Sequence, residues 1–242
     1  MSKMFPGVKT WSPATGCTHE CPYCSAEKRA LPRVRGKPKY ESGWKPTVHF
    51  DVLSKGPPKC DTCFVTYMGD LFCDGFTLKE IDAVLTVCMF TPSSKVKNFL
   101  LMTKNPRRYL DLLEKCPDVV PDGRFIFGST IETDQDNLRF LAPKAPRPSS
   151  RLKALIHLRD TYPLARIAVS MEPVMDFNPE RMGPLLVDII KPEIVWIGYD
   201  GYNYISGDDE PTKDKVIKFI EYLRRMNINV VEKLIRDSRV TP

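Results

Sequence analysis

The sequence predicts an α/β fold in which parallel strands and helices alternate around one core. Short apolar runs rich in β-branched and aromatic residues alternate with longer amphipathic segments along most of the chain. The 242 residues, 42% of them apolar and 27% charged, are enough for one large core and match the size of a (β/α) barrel. We therefore expect residues 1–242 to form a single domain, a complete or partly open barrel.

Seven segments are predicted as strands because they are short and rich in β-branched and aromatic residues. Between most of them lies a segment long enough for a helix, so the strands should pair in parallel. Their carboxyl ends, where ligands and catalytic groups gather, would then lie at one edge of the sheet. The predicted strands are residues 8–12, 64–68, 98–103, 124–130, 166–171, 194–197 and 229–233.

Five amphipathic segments are predicted as helices, at residues 77–90, 106–115, 149–162, 179–190 and 212–226. The first opens with Thr77 and Glu80, which have the spacing of a capping box. Residues 32–59 are rich in Pro and Lys and show little periodicity. This stretch is expected to be an irregular, basic excursion over the surface.

The charge balance permits a polyanionic partner without requiring one. The chain has 36 Lys and Arg against 30 Asp and Glu, a formal net charge of +6. A loop with this many cations can contact phosphates, and it can equally be a solvated surface. The basic residues concentrate in the segment that contains Lys28, Arg29, Arg33, Arg35, Lys37, Lys39 and Lys45.

The sequence predicts a cytoplasmic protein with reduced cysteines. No apolar run approaches the roughly 18 residues of a membrane span, and residues 1–7 lack the pattern of a secretory signal. The eight cysteines are then not expected to form disulfides, because the cytosol keeps thiols reduced. Metal binding is the leading explanation for cysteines that cluster.

The strongest chemical signal is the C-x3-C-x2-C motif of Cys17, Cys21 and Cys24. Three thiolates on one short loop can converge on a single metal centre. A structural zinc or an ordinary [4Fe-4S] cluster takes four protein ligands, so a set of three leaves one position open for a substrate. The alternative is a zinc site completed by His19 or a distant cysteine, although the short tether of His19 makes that geometry awkward.

With Tyr23 directly before Cys24, this motif resembles that of the radical S-adenosylmethionine (SAM) enzymes, and it precedes the first βα unit as theirs does. A wider resemblance is to the phage Gp37/Gp68-like (DUF5131) group of that superfamily, and more distantly to spore photoproduct lyase-like proteins. The matching pieces are residues 11–17, 68–72, 101–104, 128–132, 170–173 and 196–198.

The resemblance implies a partial (β/α)6 TIM-like barrel of the radical SAM type. In it, Cys17, Cys21 and Cys24 would hold a [4Fe-4S] cluster whose fourth iron chelates SAM. An electron donor such as a ferredoxin or flavodoxin would reduce the cluster, and SAM would be cleaved to methionine and a 5′-deoxyadenosyl radical. That radical would remove a hydrogen atom from a substrate that the resemblance leaves unassigned.

The resemblance also implies SAM contacts at the strand ends. Gly69 and Asp70 occupy the place of a Gly-Gly-Glu-like turn that binds the SAM ammonium, although with one glycine and a shorter acid. Lys104 or Arg151 would face the SAM carboxylate, and either could instead be a surface ion-pair partner. Alternation orients the polar residues that end the fourth and fifth strands to one face. The complete predicted set is Tyr23, Gly69, Asp70, Lys104, Thr130, Glu132, Arg151, Ser170 and Glu172.

A second metal site is a further prediction. Cys60, Cys63 and Cys73 form a C-x2-C-x9-C pattern that could hold an auxiliary iron-sulfur cluster or a zinc ion. Against it, no fourth ligand is evident unless Cys116 or His49 contributes. These cysteines could instead be buried apolar thiols or loop residues, since free cysteine is among the most buried residue types.

The substrate side of the barrel is predicted to lie at the last strand ends. The cysteine loop and the SAM contacts use the earlier strands, which leaves Tyr199, Asn203 and Lys233 nearest the substrate. The tyrosine-rich run at 199–204 could stack on a planar base, so a nucleotide or nucleic acid is a candidate partner.

A non-catalytic iron-sulfur or zinc binding module, associated with nucleic acid, is the alternative function. The two hypotheses differ in what they require of the strand ends. An enzyme needs polar groups there to hold SAM, whereas a binding module does not.

Overall fold

Seven parallel strands form the centre of the computed structural model, which describes residues 8–237. Their order across the curled sheet follows their order in the chain. Residues 1–7, which lack a signal pattern in the sequence, lie outside the described residues. The strands are β1 Lys9–Trp11, β4 Cys60–Val65, β5 Val96–Thr103, β6 Phe125–Thr130, β7 Arg166–Met171, β8 Ile194–Ile197 and β9 Val230–Glu232, and β2 Ala14–Thr15 pairs with β3 Thr47–Val48 in a separate antiparallel ribbon.

The helices follow the strands as the sequence predicts. Thr77 caps the first long helix with the predicted capping box, in which its side chain accepts from the Glu80 amide. None of the helices in the described part of the chain is long and apolar enough to cross a membrane. The helices are α1 Leu31–Val34, α2 Phe50–Lys55, α3 Leu78–Phe90, α4 Arg107–Leu113, α5 Pro148–Thr161, α6 Pro179–Pro184 and α7 Lys213–Arg225, and wider helical turns at Ala26–Ala30 and Leu185–Ile190 adjoin α1 and α6.

Alternation along the strands divides the apolar residues between the two faces of the sheet. The outer face carries the main core, in which Phe99, Phe127 and Val169 pack with side chains of the surrounding helices. The inner face lines the lumen of the curled sheet with a smaller apolar cluster that includes Ala168 and Trp196. Both faces are therefore buried, as expected for a parallel sheet covered by helices.

The largest difference from the predicted elements is at β4, which was expected at residues 64–68. The strand begins at Cys60, where its pairing with β5 begins. The sequence did not predict this start, because the polar Asp61 and Thr62 interrupt the apolar pattern without interrupting the pairing. It ends at Val65, because Thr66 adopts a left-handed conformation with φ of 60°. A residue with that backbone geometry cannot continue a strand.

Residues 32–59, expected to be irregular, contain β3 and α2 and reach the cysteine loop. β3 pairs with β2, and His49 Nε2 lies 2.8 Å from Thr15 Oγ1. Gly16 follows β2 directly and is enclosed by backbone on two sides. A Cβ atom on Gly16 would lie 2.4 Å from the Lys45 carbonyl oxygen, and one on Gly69 would lie 2.3 Å from the Gly16 oxygen.

Gly69→Ala should destabilise the fold because the new methyl group would collide with backbone atoms that cannot rotate away. The Gly16 amide donates to the Met68 carbonyl at 2.9 Å and the Asp70 amide donates to the Gly16 carbonyl at 3.1 Å. We expect a decrease of about 1–3 kcal/mol in the free energy of unfolding by urea. Gly36→Ala is the matched control, since among the described residues no atom beyond Gly36 and its chain neighbours lies within 4 Å of the added Cβ. Equal stability of the two variants would contradict this close backbone contact.

Candidate active site

Polar side chains meet at the carboxyl ends of β6 and β7. The register pairs Thr130 of β6 with Ser170 of β7. Ser170 lies two residues after Ala168, which faces the lumen, so Ser170 faces it as well. Glu132 and Glu172 each follow two residues later. The ends of these two strands therefore present two hydroxyls and two carboxyls to the mouth of the lumen.

Cys17, Cys21 and Cys24 lie on the loop between β2 and the helical turn Ala26–Ala30, with free and half-buried thiols. Backbone amides point at two of the sulfur atoms: His19 N lies 3.4 Å from Cys17 Sγ, and Glu27 N lies 3.4 Å from Cys24 Sγ. Such amide contacts to cysteine sulfur are one way in which proteins tune iron-sulfur clusters. Burial raises the pKa of Cys24 and raises the pKa of Cys21 to about 12.

Cys73 lies against Cys17, which corrects the predicted auxiliary metal site. The hydrogen bond to Cys73, together with burial, raises the pKa of the Cys17 thiol. Cys73 follows the carboxyl end of β4, whereas Cys60 begins that strand, so the structure does not bring Cys73 together with Cys60 and Cys63. Cys63 instead lies near Cys60 and Cys88, whose charges act on its pKa. The C-x2-C-x9-C pattern is thus divided between β4, which holds Cys60 and Cys63, and the segment after its carboxyl end, which holds Cys73.

A buried His19–Asp70 pair joins the cysteine loop to the turn after β4. His19 Nε2 lies 2.9 Å from Asp70 Oδ2. The same carboxylate accepts from the Phe72 and Lys104 amides, each at 2.9 Å, and from Thr103 Oγ1 at 3.0 Å. The charge and hydrogen bond of His19 oppose the effect of burial and lower the pKa of Asp70.

No pattern in the sequence links His19 with Asp70, which are 51 residues apart. The sequence indicates only that each residue belongs to a candidate cofactor-binding segment: His19 to the cysteine loop and Asp70 to the turn after β4. The side-chain ligand atoms of Cys17, His19 and Asp70 lie within 4.8 Å of one another. This set leaves out Cys21 and Cys24, so it differs from the zinc site in which His19 completes the three cysteines.

The carboxylate of Glu132 is fully buried and holds three cofactor-site candidates together. Its Oε1 accepts from the Tyr23 hydroxyl and from Lys104 Nζ, the latter at 2.7 Å. Its Oε2 accepts from Arg151 at 2.5 Å. Against the effect of burial, the Arg151 and Lys104 charges lower the pKa of Glu132 to about 2. The carboxylate is therefore ionised at neutral pH and compensated by two cations.

Ser170 and Glu172 each present a buried oxygen at the mouth of the lumen. Among the described residues, Ser170 Oγ and Glu172 Oε2 are buried atoms that form no hydrogen bond. Burial raises the pKa of Glu172 to about 7, against the opposing charges of Lys233 and Lys104. Buried polar atoms without partners are unfavourable unless a ligand or water pairs with them. These two atoms thus mark a place that suits a polar ligand.

The predicted substrate-side residues are not all at the mouth. Lys233 lies near Glu172, as their mutual electrostatic effect shows. Asn203 is exposed in the loop after β8, with φ of 65°. Tyr199 differs from the prediction because its side chain is buried. Its hydroxyl donates to the Pro211 carbonyl at 3.0 Å, and the Arg236 guanidinium lies 4.8 Å from its ring centre.

Residues 6–177 match the sequence model of a family described as protein of unknown function (DUF5131). The match covers more than half of the chain and includes the cysteine loop, the His19–Asp70 pair and Glu132. No curated protein matches the sequence significantly.

The fold is shared with solved structures, including two that are similar to this chain. One is a mutant of spore photoproduct lyase with bound AdoMet and dinucleoside spore photoproduct, with a TM-score of 0.62 at 11% identity over 94% of this chain and 76% of that chain. The other is Streptococcus suis SuiB, with a TM-score of 0.56 at 13% identity over 95% of this chain and 50% of that one, so the chain spans half of its length. The predicted partial α/β barrel is confirmed.

Acid should remove the stabilisation that ionised Glu132 provides. The pKa of Glu132 is about 2 in the folded chain against an ordinary value of 4.5. Its contribution is therefore complete above pH 4.5 and falls as the pH decreases from there toward 2. At pH 7 we expect Glu132→Gln to lower the free energy of unfolding by on the order of 3 kcal/mol, because Arg151 loses its charged partner.

The test is urea unfolding of the wild type and Glu132→Gln between pH 7 and 3. The stability difference should shrink as the pH falls. Glu193→Gln is the control: its pair with Arg166 is about one third exposed and should contribute less than about 1 kcal/mol. A Glu132→Gln difference that stays constant across this range would contradict the ion-pair explanation.

Proposed function

The chain belongs to the DUF5131 family, and we propose that it is a radical SAM enzyme with an unknown substrate. One observation carries this proposal: the loop with three cysteines is attached to the polar strand ends by two buried contacts, His19–Asp70 and Tyr23–Glu132. A zinc-binding module has no need for that second set of groups. The fold shared with spore photoproduct lyase, a protein solved with bound AdoMet, supports the same conclusion.

Cys17, Cys21 and Cys24 would hold a [4Fe-4S] cluster, and the donor set fits, since three thiols leave the fourth iron open for SAM. Given one electron from a donor such as a ferredoxin or flavodoxin, the bound cofactors would supply the homolytic cleavage of SAM to methionine and a 5′-deoxyadenosyl radical. The chain's own task is to orient SAM and exclude water. The charge of Lys104 acts on Cys21 and Cys24 and would favour their thiolate forms.

The groups at the lumen mouth divide into those available to SAM and those already engaged. Ser170 Oγ and Glu172 Oε2 form no hydrogen bond within residues 8–237 and are the proposed direct contacts, with Thr130 beside Ser170. Asp70 already accepts four hydrogen bonds, so it would act mainly by holding the backbone of the Gly69 turn. That turn would offer its carbonyl groups to the SAM ammonium.

The two candidate cations have different surroundings. Arg151 is buried and also donates to the Thr130 carbonyl at 2.6 Å, so its proposed role is to position the end of β6 and Glu132. The Lys104 side chain is 11% exposed and lies 5.2 Å from the centre of the Tyr23 ring, next to the cysteine loop. We assign Lys104 to the SAM carboxylate. Tyr23 and Glu132 would hold the ammonium group of Lys104 in place.

On the substrate side, Asn203 and Lys233 would be the residues nearest the hydrogen atom that is removed from the substrate. Tyr199 would instead stabilise the loop after β8, since its hydroxyl contacts Pro211 and its ring contacts Arg236 inside the protein. We propose that the chain forms one radical SAM core domain that acts in the cytoplasm, and that it is related to the phage Gp37/Gp68-like group.

Anaerobic reconstitution with iron and sulfide should load about four irons per chain. Cys17→Ala, Cys21→Ala and Cys24→Ala should each abolish the visible absorption of the cluster, because each removes one of three ligands. Cys116→Ala is the matched control, since this thiol lies 3.2 Å from Asp82 Oδ1, away from the loop. Iron and acid-labile sulfide are measured chemically on all four variants.

The same measurement decides between the enzyme and the alternative binding module. One tightly bound zinc and no iron after reconstitution would overturn the enzyme proposal. Loaded protein that forms 5′-deoxyadenosine from SAM and dithionite would exclude a module without turnover.

Ser170→Ala should weaken SAM binding without weakening the fold. Its hydroxyl has no hydrogen-bond partner in the part of the chain that the structure describes, so its removal should leave stability unchanged or slightly increased. We expect a roughly three- to tenfold rise in the Kd for SAM, measured by calorimetric titration of the reconstituted protein.

Ser129→Ala is the matched control on the neighbouring strand. Its buried hydroxyl donates to the Thr103 carbonyl at 3.1 Å, so the variant should be about 1 kcal/mol less stable and keep its affinity for SAM. If Ser129→Ala weakens SAM binding and Ser170→Ala does not, the cofactor is assigned to the wrong face of the sheet.

A further inference from the structure

A positively charged surface adjoins the cysteine loop. It is formed by the basic segment, defined here as Lys28, Arg29, Arg33, Arg35 and Lys37, all of which are exposed. Within the part of the chain that the structure describes, none of these five side chains forms an ion pair. Exposed lysines elsewhere do pair with carboxylates. The basic segment therefore keeps its charge available for an anionic partner.

Two tyrosines of the loop after β8 meet this charge. The Arg29 guanidinium lies 5.0 Å from the centre of the Tyr202 ring and 5.9 Å from that of Tyr204, and Arg29 Nε donates to the Tyr204 hydroxyl at 3.1 Å. Lys28 Nζ lies 5.0 Å from the Tyr204 ring centre. Tyr202 is 45% exposed. A planar cation and an aromatic ring are thus held together at the surface.

The loop that carries these tyrosines is held by its own backbone contacts. The Asp200 carboxylate accepts from the amides of Tyr202, Tyr204 and Ile205. Ile205 is buried in an apolar cluster that includes Tyr23 of the cysteine loop. Tyr202 is therefore presented by an ordered loop, so little conformational entropy is lost when a partner stacks on it.

The surface is continuous with the proposed catalytic centre. Lys28 Nζ donates to the carbonyl of Pro22, which lies between two of the cysteines. Arg29 lies on the helical turn directly after Cys24. A polymer bound along the basic segment would therefore pass next to the cysteine loop and the mouth of the lumen.

We propose that the basic segment and Tyr202 bind single-stranded nucleic acid, which makes nucleic acid the substrate class of the proposed enzyme. The five cations form no ion pair within residues 8–237 and can neutralise phosphates, and Tyr202 with Arg29 offers a platform on which one base can stack. A single strand fits better than a duplex, because bases inside a duplex cannot stack on a side chain unless they leave the helix. This inference rests on the proposed function only in calling nucleic acid a substrate, since binding itself needs no cluster.

Fluorescence anisotropy with a labelled twelve-nucleotide DNA and the matching RNA tests the proposal on the 242-residue chain, as purified and after reconstitution. Tyr202→Ala should weaken binding about ten- to a hundredfold, because one base can no longer stack on the ring. Tyr202→Phe should bind like the wild type, because stacking requires the ring and not the hydroxyl. Phe90→Ala is the control, since Phe90 is 85% exposed and lies on α3, outside this surface.

The charge contribution is measured separately. Arg33→Ala combined with Arg35→Ala should reduce the slope of log Kd against the logarithm of the salt concentration by about 1.4. Each phosphate of a single strand that the protein no longer neutralises removes roughly 0.7 from that slope. Lys153→Ala, an exposed lysine of α5, should leave the salt dependence unchanged. Stronger binding to one of the two oligonucleotides would identify the strand as DNA or RNA.

Three results would overturn the proposal: equal affinity for duplex DNA, equal affinity for a polyglutamate chain, or unchanged affinity in Tyr202→Ala. The first two would mean that the surface attracts any polyanion. Because binding is also measured without iron or SAM, a failed cluster assay leaves this result intact. A failed binding assay equally leaves the radical SAM proposal standing.

Discussion

The buried carboxylate of Glu132 is the contact on which the arrangement at the mouth of the barrel depends. Burying an isolated carboxylate costs several kcal/mol, and here Lys104 at Oε1 and Arg151 at Oε2 compensate that cost. Arg151 belongs to α5, Lys104 follows β5, and Tyr23 brings the cysteine loop to the same carboxylate. One charge thus sets the relative positions of a helix, a strand end and the loop proposed to carry the cluster.

Asp70 provides a second anchor for the cysteine loop. Together with Glu132, it explains how a loop with little regular structure can present three thiols in a defined arrangement. His19 is held by Asp70, and Tyr23 is held by Glu132, so both cysteine gaps have a buried anchor. The anchors come from strands that are not adjacent in the sheet, β4 and β6. The loop is therefore positioned by the curvature of the sheet as a whole, rather than by one neighbouring element.

Alternation and motif spacing predict most of the sheet and the polar strand ends, because both depend on neighbours close in sequence. The predicted bounds of β7 and β8 agree with the structure, and Thr130 and Ser170 lie side by side as parallel pairing requires. Contacts between distant loops leave no such pattern. The nearness of Cys73 to Cys17 could not be predicted, since it depends on how the turn after β4 folds back onto the cysteine loop.

The crowded contact of Gly16 with Gly69 has a consequence for the order in which the protein is made. Gly16 is enclosed by the backbone of Lys45 and Gly69, so the loop that follows it acquires its shape only after those later residues have left the ribosome. The second anchor, Glu132, is synthesised later still. A nascent chain therefore displays its three cysteines well before it can hold them in the finished geometry, so the thiols of the proposed cluster loop stay exposed until Glu132 has left the ribosome.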